Sequence, residues 1–189
     1  MSSEKILLQD KVHQAVNALN AGGVVAYPTE YCFGLGCDPV DIDAIQSLLK
    51  IKNRQAEQGV ILIASSVEQI EKFVDLKASP LIDEILASWP GPNTWILPAH
   101  EHVTSWVKGR HQGVAVRVTA NHVSKDICQE FGGAIVSTSA NRHGQPALLD
   151  AQSVINEMGN ELSYVFDESV DGATMPSSIR DGLTGKQLR

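Results

Sequence analysis

Short apolar runs alternating with segments of helical period constrain this chain most. Residues 24–27 (VVAY), 60–64 (VILIA), 114–118 (VAVRV) and 134–136 (AIV) are almost wholly apolar, with no polar residue at every second place. A strand of that kind must be covered on both faces, which calls for a sheet with helices layered on it. The intervening segments supply the helices. Leu8, Val12, Ala15, Val16 and Leu19 repeat at helical spacing and end at Gly22-Gly23. Asp41 is placed to cap a helix whose apolar face is Ile42, Ile45, Leu48 and Leu49. Asn121 caps another through Val123, Ile127 and Phe131, closed by Gly132-Gly133. Ser65 with Glu68 reads as a capping box before Ile70 and Phe73. Pro80 opens a helix that stops at Trp89-Pro90-Gly91-Pro92, and residues 150–158 form one more. Residues 94–97 and 162–166 read as further strands. The turn-rich stretch 176–189 predicts antiparallel pairing at a sheet edge, so the expected fold is α/β with a mixed sheet.

No repeat, low-complexity tract or Pro/Ser linker divides the 189 residues, so one domain over residues 1–189 is expected. No apolar run approaches the roughly 20 residues a membrane helix needs, and residues 1–5 (MSSEK) lack the apolar core of an export signal. The expected location is cytoplasmic, without membrane contact. Three cysteines, Cys32, Cys37 and Cys128, have no repeated spacing and read as reduced packing residues. The net charge of −7 is not that of a protein that coats nucleic acid.

Four segments carry candidate chemistry. Residues 28–36 (PTEYCFGLG) leave a strand's C-terminal end, where α/β sheets hold ligands; Thr29 offers a hydroxyl, and Gly34 and Gly36 permit close backbone approach. The same residue types also make an ordinary turn. Lys52 and Arg54 end a helix and can cap it or grip phosphate, Lys52 as a point charge and Arg54 as a fork. Ser137, Ser139 and Asn141 lie in STSAN after a strand, a set of groups suited to a polyanion or ribose or to a hydrogen-bonded turn. Ser177, Ser178, Ile179, Arg180 and Asp181 form another hydroxyl-rich turn. Arg117 interrupts an apolar strand, and a charge there needs a partner. GxSxG is absent, so a serine hydrolase is not indicated. GLTGKQ at 182–187 lacks the spacing and hydroxyl of a phosphate loop, and His100-Glu101-His102 lacks metal-ligand spacing, so no protein metal site is expected.

In order and spacing these segments, together with WPGPNT (89–94), VAVRVT (114–119) and SIRD (178–181), resemble the YrdC family in its short bacterial form. The resemblance covers nearly the whole chain. It implies a twisted mixed sheet around a concave basic groove. It also implies an enzyme that joins L-threonine, bicarbonate and ATP, with Mg²⁺ on the triphosphate and no tightly bound cofactor, into threonylcarbamoyl adenylate and pyrophosphate. Partner proteins would pass the threonylcarbamoyl group to tRNA, and the groove would be available to tRNA or double-stranded RNA. By the same resemblance Lys52 and Arg54 are catalytic and hold phosphate. Ser137, Ser139, Asn141, Ser177 and Arg189 hold the nucleotide, and Thr29 and Arg117 bind threonine. The chain departs from the family pattern at Tyr31, Cys32, Gln55, Gln58 and Ile63, and Gln58, where some relatives carry lysine, implies a clamp one charge weaker.

Two alternatives remain open. One is a structured-RNA binding factor that uses the same groove without chemistry. The other is a different carbamoyl-adenylate chemistry, since related domains occur in longer enzymes that handle carbamoyl phosphate.

Overall fold

A computed structural model describes residues 3–189. The expectation for residues 1–5 therefore falls partly outside the described residues. Eight strands form one sheet: β1 (Val25–Pro28), β2 (Phe33–Gly36), β3 (Ile61–Ala64), β4 (Asn93–Pro98), β5 (Gly113–Val118), β6 (Ile135–Ser139), β7 (Tyr164–Val165) and β8 (Ser178–Asp181). Their order is β7-β1-β2-β6-β3-β5-β4-β8. The β1–β7, β3–β5 and β4–β8 pairs are parallel and the other four antiparallel, so the sheet is mixed as expected. The helices are α1 (Ser3–Asn20), α2 (Ile42–Lys52), α3 (Val67–Ile70), α4 (Ile82–Ala87), α5 (Ser105–Lys108), α6 (His122–Phe131) and α7 (Ala151–Met158).

Period-two alternation in the strands separates two cores. On one face Leu62, Val114, Val116, Trp95, Leu97 and Val136 pack with Ile45 and Leu48 of α2, Ile85 of α4, Val107 of α5 and Val154 of α7. On the other, Val25, Tyr27, Ile63 and Ile135 pack under Val12, Val16 and Leu19 of α1 and Val123, Ile127 and Cys128 of α6. That second cover does not reach across the sheet. One register row, Ser137–Ile61–Ala115–Ile96–Asp181, crosses β6, β3, β5, β4 and β8 on this face. Its Ile61, Ala115 and Ile96 are only half-buried. Residues that read in sequence as buried on both sides thus form the floor of an open hollow.

The predicted caps hold where the side chain can reach back. Asp41 and Asn121 accept from the N–H groups of Ala44 and Ser124, and Asp150, expected inside the last helix, instead caps it through the Ser153 N–H. Four expectations need correction. The Ser65–Glu68 box does not form, because Gln69 Oε1 accepts from the Ser65 N–H at 2.9 Å and α3 is a single turn starting after Ser66. The helix after Pro80 starts at Ile82. The C-terminal strand lies at an edge, as expected, but pairs parallel to β4; the antiparallel contact is its own return, Arg180 opposite Gln187. Gly36 lies inside a buried strand, where its missing side chain admits the Tyr27 ring, whereas Gly34, against the same ring, also lines the open hollow. A Cβ on Gly36 would stand 2.7 Å from that ring and from the Val136 oxygen. The motif is a hairpin corner, with Thr29 and Glu30 at its tip.

Candidate active site

The uncovered half of the sheet holds a cavity of about 950 Å³. Seven of the nine candidate side chains line it: Thr29, Arg54, Arg117, Ser137, Ser139, Ser177 and Arg189. Lys52 and Asn141 stand behind its wall.

Thr29 closes its own corner, donating its hydroxyl to the Cys32 oxygen at 2.7 Å. Arg117 on β5 is 7% exposed, and its partner is Glu30, 8% exposed, with Nη1 donating to Oε2 at 2.9 Å. Thr119 Oγ1 and the Ala120 N–H donate to Oε1 of the same carboxylate at 2.9 and 3.0 Å. Burial alone would raise the Glu30 carboxyl. The Arg117 charge and the donated hydrogen bonds outweigh it and hold the group below the usual carboxylate range. Glu30 has no role in the sequence-based assignment. The signal for it was present: a buried arginine on an apolar strand demands an acid, and Glu30 sits beside Thr29 in PTE.

Lys52, 4% exposed, closes α2. Asn53 then takes a left-handed conformation at φ 49° and turns Arg54 out of the helix. The Lys52 ammonium donates to Ser139 O at 2.5 Å, Asn141 O at 2.8 Å and Asn141 Oδ1 at 3.0 Å. The STSAN segment is therefore strand through Ser139, followed by a turn tied to the end of α2. Ser139 Oγ donates to Asn141 Oδ1 and Asn141 Nδ2 to Gln145 O. Burial, then the Arg54 charge, lower the Lys52 ammonium to about 8. Arg54 donates through Nη2 to Gly59 O at 2.8 Å, while its buried Nε has no partner. A buried donor without an acceptor is costly, and a ligand oxygen would satisfy it.

At the opposite wall Ser177 Oγ meets Thr94 Oγ1 at 3.0 Å, and Arg189 Nη2 donates to Ser177 O at 3.0 Å. Backbone bonds between Ile179, Leu188 and Arg189 hold the chain end against β8. The groove is concave as expected, and its charge is mixed: Arg54, Lys108, Arg117 and Arg189 face Glu30 and Asp181. The remaining motifs take structural parts. Asp181 Oδ1 accepts from the N–H groups of Leu183 and Thr184, making GLTG a capped turn. His100 and His102 stack on each other and bond the carbonyls of Glu71 and Lys72. Among the described residues no group of three or more His, Cys, Asp or Glu could hold a metal ion, no helix is long and apolar enough to cross a membrane, and the three cysteines are free and buried.

A mixed α/β sheet with one face half covered, its bare half a cavity walled by arginines, hydroxyls and two acids, belongs to the class of folds built around a pocket of small-molecule size. The comparisons narrow that class. A family model for Sua5/YciO/YrdC, described as telomere recombination, matches residues 17–189, and the chain belongs to this family. It is 48% identical over 182 residues to a threonylcarbamoyl-AMP synthase of Alkalilimnicola ehrlichii, covering 95% of both chains. A double variant of P. abyssi Sua5 matches with a TM-score of 0.88 at 29% identity, over 96% of this chain and 56% of that one. P. abyssi Sua5 complexed with L-threonine matches with a TM-score of 0.85, also at 29% identity, over 92% of this chain and 51% of that one. The chain thus spans about half of the Sua5 protein.

Proposed function

We propose that this chain is a threonylcarbamoyl-AMP synthase, forming L-threonylcarbamoyladenylate and pyrophosphate from L-threonine, bicarbonate and ATP. The observation that carries the reading is the division of the cavity. Its buried Arg117 is paired with the Glu30 carboxylate, while Arg54 and Arg189 have carbonyl and hydroxyl partners only. The near full-length match to curated synthases supports it.

In this reading Arg117 receives the threonine carboxylate, with Thr29 beside it. The threonine amine condenses with bicarbonate, losing water, to give a carbamate. A carbamate oxygen then bonds to the α-phosphorus of ATP as the bond to the leaving pyrophosphate breaks. Such displacement requires positioning and neutralisation of spreading charge more than a covalent nucleophile. Arg54 supplies its unpaired Nε and the free part of its fork to phosphate oxygens. Ser137 and Ser139 serve the nucleotide, with Lys52 and Asn141 supporting that subsite through the turn they hold. Ser177 and Arg189 close the opposite side. ATP arrives with Mg²⁺ as part of the substrate. The acids on the wall are already committed, Glu30 to Arg117 and Asp181 to its turn, so the ion rides on phosphate and water. The adenylate is then consumed by tRNA-modification partners.

The test is pyrophosphate release from ATP with bicarbonate and Mg²⁺, with threonine present or withheld. Threonine-dependent release with the matching adenylate mass is expected; release indifferent to every amino acid would sink the reading.

A further inference from the structure

Three arginines share this cavity, and they are not equivalent. Arg117 alone is bound to a carboxylate, Glu30 Oε2, at 2.9 Å. Arg54 donates to the Gly59 oxygen and Arg189 to the oxygens of Ser177, and neither has an acid within salt-bridge distance among the described residues. The pairing of Arg117 is built in. Both oxygens of Glu30 are engaged, by Arg117 on one side and by Thr119 Oγ1 and the Ala120 N–H on the other. Its backbone oxygen also accepts from the Ala173 N–H. The carboxylate therefore cannot turn away from the guanidinium.

We propose that Glu30 makes the Arg117 end of the cavity selective for the carboxylate of a zwitterionic amino acid and closes it to phosphate. This rests on the reading of the site as a synthase that uses threonine and ATP together. A cavity that must hold a triphosphate beside an amino acid faces a sorting problem, because a bare guanidinium binds phosphate as readily as carboxylate. With Glu30 alongside, Arg117 and its partner sum to no net charge. A single carboxylate whose own ammonium travels with it fits that balance. A phosphate dianion meets the Glu30 charge a few ångströms away and is repelled. Arg54 and Arg189 have no acid to offset their charge and draw the phosphates instead. Glu30 is thus a positioning and specificity residue; it need not touch the reacting atoms.

The experiment is steady-state pyrophosphate release by wild type and Glu30→Gln, varying threonine at several concentrations of inorganic phosphate. The glutamine keeps the shape and removes the charge. The expected result is an apparent threonine KM that phosphate raises several-fold, with the ATP KM within about twofold. In the variant alone, phosphate becomes competitive with threonine. An unchanged threonine KM with no competition by phosphate overturns the proposal. If the variant loses its cooperative melting transition, Thr119→Val is measured instead. It frees one side of Glu30 but leaves the charge, so the threonine KM should rise several-fold with phosphate still not competing; an unchanged KM overturns the proposal. If wild type releases no pyrophosphate with threonine, the synthase reading fails by itself. Phosphate binding by calorimetry then decides: a site gained in Glu30→Gln supports the exclusion, and equal binding by both proteins overturns it.

Discussion

The Lys52 ammonium donates to three acceptors of the Ser139–Asn141 turn from a position almost closed to solvent. From sequence alone its replacement would spare the fold and abolish activity. The hydrogen bonds predict both losses. Lys52→Met leaves buried carbonyls without donors and should cost about 1–3 kcal/mol in denaturant unfolding. The pH dependence has a definite sign. The folded ammonium titrates near 8 and the unfolded one near 10.5. Between those values the unfolded chain holds more protons, so this group's contribution to stability rises with pH. That slope should be missing in Lys52→Met. Activity runs the other way. Above about pH 8 the neutral amine has one donor fewer, the turn loosens, and kcat/KM for ATP should fall with an apparent pKa near 8, measured by pyrophosphate release. Arg54 differs, since only Nη2 has a partner. Arg54→Ala should lower kcat/KM for ATP by roughly 10²-fold or more with little change in melting temperature. Arg117→Ala strands a buried Glu30 and should cost about 3–5 kcal/mol in denaturant unfolding, so its loss of activity is read alongside Arg117→Lys.

At the scale of elements, the β1–β2 hairpin shows a sequence feature pointing to the wrong cause. Gly34 and Gly36 suggested a backbone opened toward a ligand. Both lie against Tyr27, whose ring is fully buried across the hairpin; Gly34 also lines the cavity, and Gly36 is the one whose part is packing alone. The polar apparatus stands instead at the corner, where Thr29 bonds Cys32 and Glu30 reaches β5. Gly36→Ala should destabilise by about 1–3 kcal/mol through overpacking, visible as a lower melting temperature, with threonine and ATP KM values unchanged in the folded fraction. An equal loss in substrate affinity would return the glycine to the site.

At the scale of the whole molecule, the site exists because α1 and α6 are too few to cover one face of an eight-stranded sheet. The remaining half is a pocket of the size that suits a small-molecule ligand. This disfavours the RNA-binding alternative, which needs an extended positive surface, as does the net charge of −7. Any association with tRNA, titrated at two salt concentrations, should therefore be weak and lack the steep salt slope of a phosphate-tracking protein. Saturating ATP and threonine should raise the melting temperature together, because each binds only the folded state.

Local chemistry was enough to read several features directly from the chain. Helix caps at Asp41 and Asn121, the apolar strands, and the hydroxyl and cation clusters depend on neighbours a few residues away. Which helices cover which half-face, the parallel docking of β8, and the meeting of Glu30 with Arg117 across 87 positions depend on contacts between distant segments. No local pattern encodes them, because period two assigns a residue to a face and cannot say whether anything covers it. Ile61 and Ala115 read as core for that reason, and the fold made them, with Ile96, the floor of the site.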